Sequence, residues 1–489
     1  HQPLLFAPLA PPGQCRYNPL AMARQWRSWD VYLLLLLLVA RARTDTLAEL
    51  AFPGEWHRAN LARLPVVGAW LAALGPDRFF DWPTDLTLLV PIALAFACLA
   101  LYGWADACWA ERRPLRAQRA KAALVGAIVF LTIALPTVRL MALRAVAGPA
   151  SYTHDGGVIQ TEAATALFLQ GRNPYLEDYT ATPMAEWGIQ YHTALYHYPY
   201  GPWTFIASAP LCALGWGLLG WYDQRILYLL VFGLLLGLAA RLPDHPRATP
   251  ALVMLLGLNP IMGSDVIFGQ NDVFVLFWLV LALWLLKRRR YGWASACCGL
   301  ACASKPTAWF ILPFYALYLA GDATQARPIA WDEIVHRLVR RGWPALVTFL
   351  APMLPYLLWS PGALWDDIWG WSSGTSAVPY QVRGWGLSTL LLGLGVIPNR
   401  MAYFPFWILQ VAFGVPVLFW LMGRQFRENV LGQVCLGYAV LLFVVLFFSR
   451  FLNENYLGFL VAVGALGLLA REPEPVRPPR GIPWEGLGT

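Results

Sequence analysis

The chain has 489 residues, 58% hydrophobic and only 13% charged, with a formal net charge of +8. A charged share about half that of ordinary globular domains excludes a soluble fold, because a water-bathed core cannot absorb that much apolar surface. In such a chain the positive charge reports cytoplasmic Lys and Arg, so no nucleic-acid partner is expected.

Residues 1–21, ahead of Met22, read as an upstream extension or a misassigned start. The apolar run 33–38 has no small-residue cleavage pattern soon after it and is expected to stay as an anchor. A membrane span needs about 20 apolar residues. Candidates fall at roughly 29–43, 86–107, 122–143, 200–220, 225–241, 272–287, 343–359, 402–421, 430–448 and 455–470. Two more segments, 250–267 and 292–319, are apolar but broken by polar residues or proline. The expectation is an all-α polytopic transmembrane helix bundle of about 11–13 membrane segments, some short or re-entrant. The eight cysteines show no disulfide framework or zinc spacing and read as small buried hydrophobes.

Basic clusters orient the chain. Arg112–Lys121, Lys287–Arg290, Arg337–Arg341, Arg424 with Arg427, and the tail after Arg471 are placed in the cytoplasm. Parity then puts loop 144–199, Gly269–Asp272, loop 360–401 and Ser449–Tyr456 outside. It makes 200–220 and 225–241 consecutive crossings. Segment 250–267 becomes a re-entrant hairpin around Asn259–Pro260, and 292–319 rises and returns with Lys305 at its tip; plain proline kinks in ordinary spans are the alternative for both. Arg41, Arg43, Arg241 and Arg247 fall on the outer side, against the rule.

The polar residues gather on that outer side. Asp155 opens a short amphipathic helix over 158–170 ended by Gly171. It reads either as a helix cap or as a general base drawing a proton from a sugar hydroxyl. His154 and Glu162 could orient an acceptor or simply face water. Gln270, Asn271 and Asp272 begin an inward span, as caps or as donors to sugar hydroxyls or phosphate. Lys305 sits deep in an apolar segment, too far from either end to snorkel. It suits a phosphate counter-charge or an ion pair with Asp265 or Asp272. Arg450 and Arg383 are further outer-side cations, with interfacial snorkelling as the bland alternative. Most outer tryptophans read as an aromatic belt, leaving one or two for sugar stacking. No phosphate loop, Ser-His-Asp order or zinc motif is present, so an activated donor must come from the membrane.

With these residues in view, the chain resembles the GT-C superfamily of polytopic glycosyltransferases, and most closely the bacterial polyprenyl-phosphate-mannose-dependent mannosyltransferases. The resemblance covers about residues 120–470. It rests on Asp155, Gly171-Arg172-Asn173-Pro174-Tyr175, Tyr198-Pro199-Tyr200-Gly201-Pro202, Gly269-Gln270-Asn271-Asp272 and Ser304-Lys305-Pro306, in that order. It implies a catalytic base at Asp155 and a donor phosphate near Lys305. His154, Glu162, Tyr175, His197, Tyr198, Gln270, Asn271, Asp272, Arg383 and Arg450 are the expected substrate-binding residues. It also implies inverting transfer of mannose or another hexose, with no cofactor and no metal. The partners implied are membrane lipid, a polyprenyl-phosphate-linked sugar donor and a glycan or glycolipid acceptor, at the plasma membrane with the site extracytoplasmic. The expected organisation is an N-terminal extension over 1–110, a GT-C-like catalytic module over 111–470 and a cytoplasmic tail over 471–489. A flippase or transporter of a lipid-linked saccharide is the alternative, since broken helices and a midplane lysine also suit one.

Overall fold

The computed structural model describes residues 29–49, 54–74, 86–188, 192–245, 248–321 and 331–470. The expectations for residues 1–21, Arg247 and the tail 471–489 lie outside these. Among the described residues the regular structure is helical, apart from a parallel pair of two-residue strands, Arg383–Gly384 beside Phe451–Leu452. The protein is an all-α bundle. Among the described residues, four helices are long and apolar enough to cross a membrane: Thr87–Trp109, Pro114–Ala147, Asp332–Trp359 and Phe406–Arg427. Trp203–Leu219, Arg225–Ala239, Pro306–Ala320, Leu431–Phe447 and Glu454–Leu469 are apolar but shorter. The expected dozen segments are therefore mostly short helices gathered around a few full spans.

Helix Asp272–Lys287 runs through the centre and is buried on every side, as its continuous apolar sequence requires. Its two ends define the two faces of the bundle. At one end Lys287 pairs with Asp244 at 2.6 Å and donates to the Leu242 carbonyl, which fixes a basic face. At the other end Asp272 meets Lys305. Helix Tyr291–Cys302 leaves the basic face and ends just before Lys305. The next helix, Leu312–Ala320, comes back to Arg341, whose Nη1 donates to Leu319 O at 2.8 Å. The expected rise and return of 292–319 has this geometry.

Two expectations are corrected. The pair Ala248–Gly257 and Pro260–Phe268 is bent by 49°, far short of the reversal a hairpin needs. It runs from the Asp244 end to the Asp272 end as one kinked crossing. Asn259 makes the break by accepting from the Ile261 and Met262 N–H groups, and Pro260 starts the second half. Arg41, from the helix Trp29–Glu49, donates to the Pro260 carbonyl at 2.7 Å and to Ser264 at 3.1 Å. It is a buried partner of the break, not a surface cation.

Second, Trp203–Leu219 is not followed by an outward crossing. Gln224, past its end, donates back to Ser208 Oγ at 2.8 Å, and Arg225 Nη1 bonds Tyr152 O at 2.9 Å. The chain past the end of this helix therefore returns along it to the 144–202 region. Arg225–Ala239 then runs toward the basic face, which returns Arg241 to the side the charge rule requires.

Candidate active site

The site is built where two loops lock backbone to backbone. Gly269 ends helix Pro260–Phe268 in the left-handed region, φ 89°. Gly157 lies so close to the Gly269 carbonyl that any β-carbon would collide with it. The His154 N–H donates to Phe268 O at 2.8 Å. Arg225 Nη1 spans both strands of the junction, reaching Tyr152 O at 2.9 Å and Ile267 O at 3.2 Å. This junction brings Gln270 Nε2 to 3.1 Å from His154 Nε2. Asp155 begins a wide π-turn, Asp155–Gln160, that feeds helix Thr161–Leu169. Its side chain caps nothing along that helix.

His154 Nδ1 stands 2.6 Å from Asp155 Oδ1. Burial by itself would raise the Asp155 carboxyl. The charge and hydrogen bond of His154, then the Gly156 N–H and Arg383, overcome it and hold the group below the usual carboxylate range.

Lys305 is extended, as residues before proline are, and its side chain is almost wholly buried. Its Nζ lies 2.7 Å from Asp272 Oδ1 and 3.2 Å from Asn271 Oδ1, between the rings of Tyr200 and Tyr456. Asn455 Nδ2 takes the other Asp272 oxygen at 2.5 Å.

His154, Asp155, Gln270, Lys305, Arg383 and Arg450 line one cavity of about 1160 Å³. Its far wall is apolar, built from Phe310, Trp407, Val411, Val415, Leu418 and Val445. Arg383 is exposed in it. Arg450 is otherwise occupied: its guanidinium donates to the carbonyls of Tyr380, Ala402 (2.8 Å) and Arg400 (3.1 Å). It pins the 380–402 loop, so the expectation of a second phosphate cation there is not met by its geometry.

Six expected site residues do not line the cavity. Glu162 is bound by Arg144 (2.7 and 2.9 Å) and by the Gln224 N–H (2.8 Å). Arg144 also reaches Asp223 at 2.9 Å, closing a buried network with Arg225. Tyr175 donates to Tyr200 O at 2.7 Å from an aromatic cluster. Tyr198 pairs with Thr204 Oγ1 at 2.7 Å and gives its N–H to Asp367 Oδ2 at 2.9 Å. His197 Nδ1 faces Asp367 Oδ1 at 2.9 Å. Asn271 and Asp272 stand behind Lys305, reaching the cavity only through it. Sequence reasoning missed Tyr200, Tyr380, Asn453, Asn455 and Tyr456, which line the cavity. Asn455 alone carried a signal, an amide at the first turn of an apolar helix.

Among the described residues, His197, Asp366 and Asp367 have ligand atoms within 4.8 Å of one another, the spacing a cation would need. Burial pushes the Asp367 carboxyl up to about 6, against the pull of His197 and the Tyr198 N–H. This cleft is separate from the Asp155 cavity.

No curated protein and no solved structure matches the chain. Residues 162–321 match the family model described as alpha-(1->6)-mannopyranosyltransferase, N-terminal domain. That stretch carries Gln270, Asp272 and Lys305, and over this third of the chain the protein is similar to mannosyltransferases of that family.

Proposed function

We propose that the protein transfers mannose from a polyprenyl-phosphate donor to a glycan or lipid-linked acceptor, at a cavity facing the extracytoplasmic side of the plasma membrane. The observation that carries this reading is the shared cavity of Asp155, Lys305 and Arg383, continued by an apolar wall. The polyprenyl chain lies along Phe310, Trp407, Val411 and Val415, and the phosphate sits toward Lys305 and Arg383. Gln270 and His154 hold the sugar or its acceptor by hydrogen bonds.

Asp155 Oδ accepts the proton of the acceptor hydroxyl as that oxygen attacks the anomeric carbon. The new C–O bond forms as the bond from the anomeric carbon to the phosphate oxygen breaks, with inversion. Its electron pair leaves on polyprenyl phosphate, whose growing charge is met by Arg383 and by the Lys305 ammonium. Nothing in this scheme calls for a dinucleotide or a metal.

The test is D155N in the full-length protein, purified into lipid, with synthetic polyprenyl-phosphate mannose and a mannoside acceptor. The expected result is loss of transfer with donor binding retained. Undiminished turnover by D155N removes the base assignment.

A further inference from the structure

The N-terminal segment that the family resemblance leaves uncovered reaches the Asp155 loop. Helix Gly54–Ala62 lies against Tyr152, three residues before Asp155. Tyr152 is a non-glycine residue at φ 53°, in the left-handed region that costs a bulky side chain free energy unless its surroundings impose it. The surroundings here are specific. The Trp56 ring stacks on Tyr152 with centroids 4.8 Å apart and planes 16° apart. His57 Nδ1 lies 2.8 Å from Tyr152 Oη, and Asn60 Nδ2 donates to the same oxygen at 3.5 Å. Arg139 Nη2 stands 3.2 Å from His57 Nε2 and fixes the imidazole from behind. Arg139 can only donate, so a neutral His57 accepts at Nε2 and presents Nδ1–H to the tyrosine. On the other side of the residue, Arg225 holds the Tyr152 carbonyl. The next residue gives its carbonyl to Trp187 Nε1 at 3.0 Å, and the one after is His154.

We propose that helix Gly54–Ala62 is a positioning element of the active site. Trp56 and His57 hold Tyr152 in its left-handed conformation and so set where His154 and Asp155 stand relative to Gln270. Neither residue touches the cavity, so both act through Tyr152. The inference rests on the reading of Asp155 as the general base, but its first test does not.

The first measurement is hydrogen exchange of the backbone over residues 150–158 in the full-length protein, wild type against W56A and H57A. Faster exchange there, with the 265–275 region unchanged, is expected. Wild-type protection in both variants overturns the proposal. The second is steady-state transfer with synthetic polyprenyl-phosphate mannose and a mannoside. Tenfold or greater loss of kcat is expected for H57A and Y152F, with donor KM within about twofold and unchanged melting temperature. The double variant H57A/Y152F should be no worse than either single change, because the two remove one interaction. H57N, whose amide can still donate to Tyr152, should recover part of the rate. Full additivity, or a loss that follows the melting temperature, overturns the positioning role. If D155N transfers normally while exchange still quickens in H57A, the base reading fails and the clamp stands. If D155N is dead and H57A is fully active, the clamp alone fails.

Discussion

Lys305 Nζ and Asp272 Oδ1 are 2.7 Å apart at the inner end of the cavity, and both side chains are almost wholly buried. The pair is neutral overall, so a phosphate arriving beside it meets an oriented dipole and not a lone cation. Removing one partner leaves an uncompensated buried charge, which costs about 3–5 kcal/mol. K305A is therefore expected to lose both stability and transfer. K305A/D272A should regain much of the melting temperature but none of the transfer. Thermal unfolding in detergent read beside turnover makes the comparison. Equal activity in the double variant would take Lys305 out of the chemistry.

Arg383 is the complementary case. It is exposed in the cavity and lies close enough to Asp155 to help hold its carboxyl down. R383A should fold normally. Its transfer should fall by roughly a hundred- to a thousandfold, the scale of losing one charge-stabilising donor. Because Arg383 also depresses Asp155, the acid limb of kcat/KM should move to higher pH.

His154 has a larger share in the same effect. The folded-state carboxyl of Asp155 is depressed, so its ionised form persists as pH falls through the range where an ordinary aspartate protonates. Stability linked to it is present above the unfolded value and lost as pH falls through the folded one. In H154A or H154L burial is left less opposed, and the acid limb should shift upward further than in R383A. A pH–rate profile with no shift would mean that Asp155 does not set that limb.

Glu162 belongs to a different experiment. Its carboxylate is engaged by Arg144 and the Gln224 N–H, outside the cavity. E162A should lower the melting temperature, since Arg144 and Arg225 then face Asp223 as their one carboxylate, while donor KM in the surviving folded protein stays near wild type. A selective rise in KM without loss of stability would return Glu162 to the substrate.

Gly157 tests the junction of the two loops. A methyl group there runs into the Gly269 carbonyl, so G157A must push the 154–157 and 268–270 segments apart. Catalysis depends on sub-ångström placement. Loss of transfer by a hundredfold or more is expected while the bundle stays folded, measured by turnover beside the helical circular dichroism signal.

The bundle was legible because apolar runs and basic clusters are local properties, and the tip at Lys305 followed from charge on both sides of 292–319. The convergence of Asp155, Gln270 and Lys305 was also legible, since each interrupts an apolar or turn pattern. What a polar side chain pairs with is not local. Glu162 takes its partners from Arg144 and Gln224, and Arg450 spends its donors on carbonyls of the 380–402 loop, neither of which spacing reveals. The hairpin assigned to 250–267 failed for a related reason. Parity had put 200–220 across the membrane, and nothing in its apolar sequence says that Gln224 folds back onto Ser208.

Arg41 has a consequence for how the protein is made. The guanidinium belongs to helix Trp29–Glu49, and its acceptor at Pro260 lies 219 residues later in the chain. A buried charge is costly until it is matched, so this helix takes its final seat only once the kinked crossing has been made. The kinked crossing, when it arrives, finds a waiting donor for the carbonyl its own bend has exposed. The seat of helix Trp29–Glu49 is thus settled late, by a part of the chain made long after it.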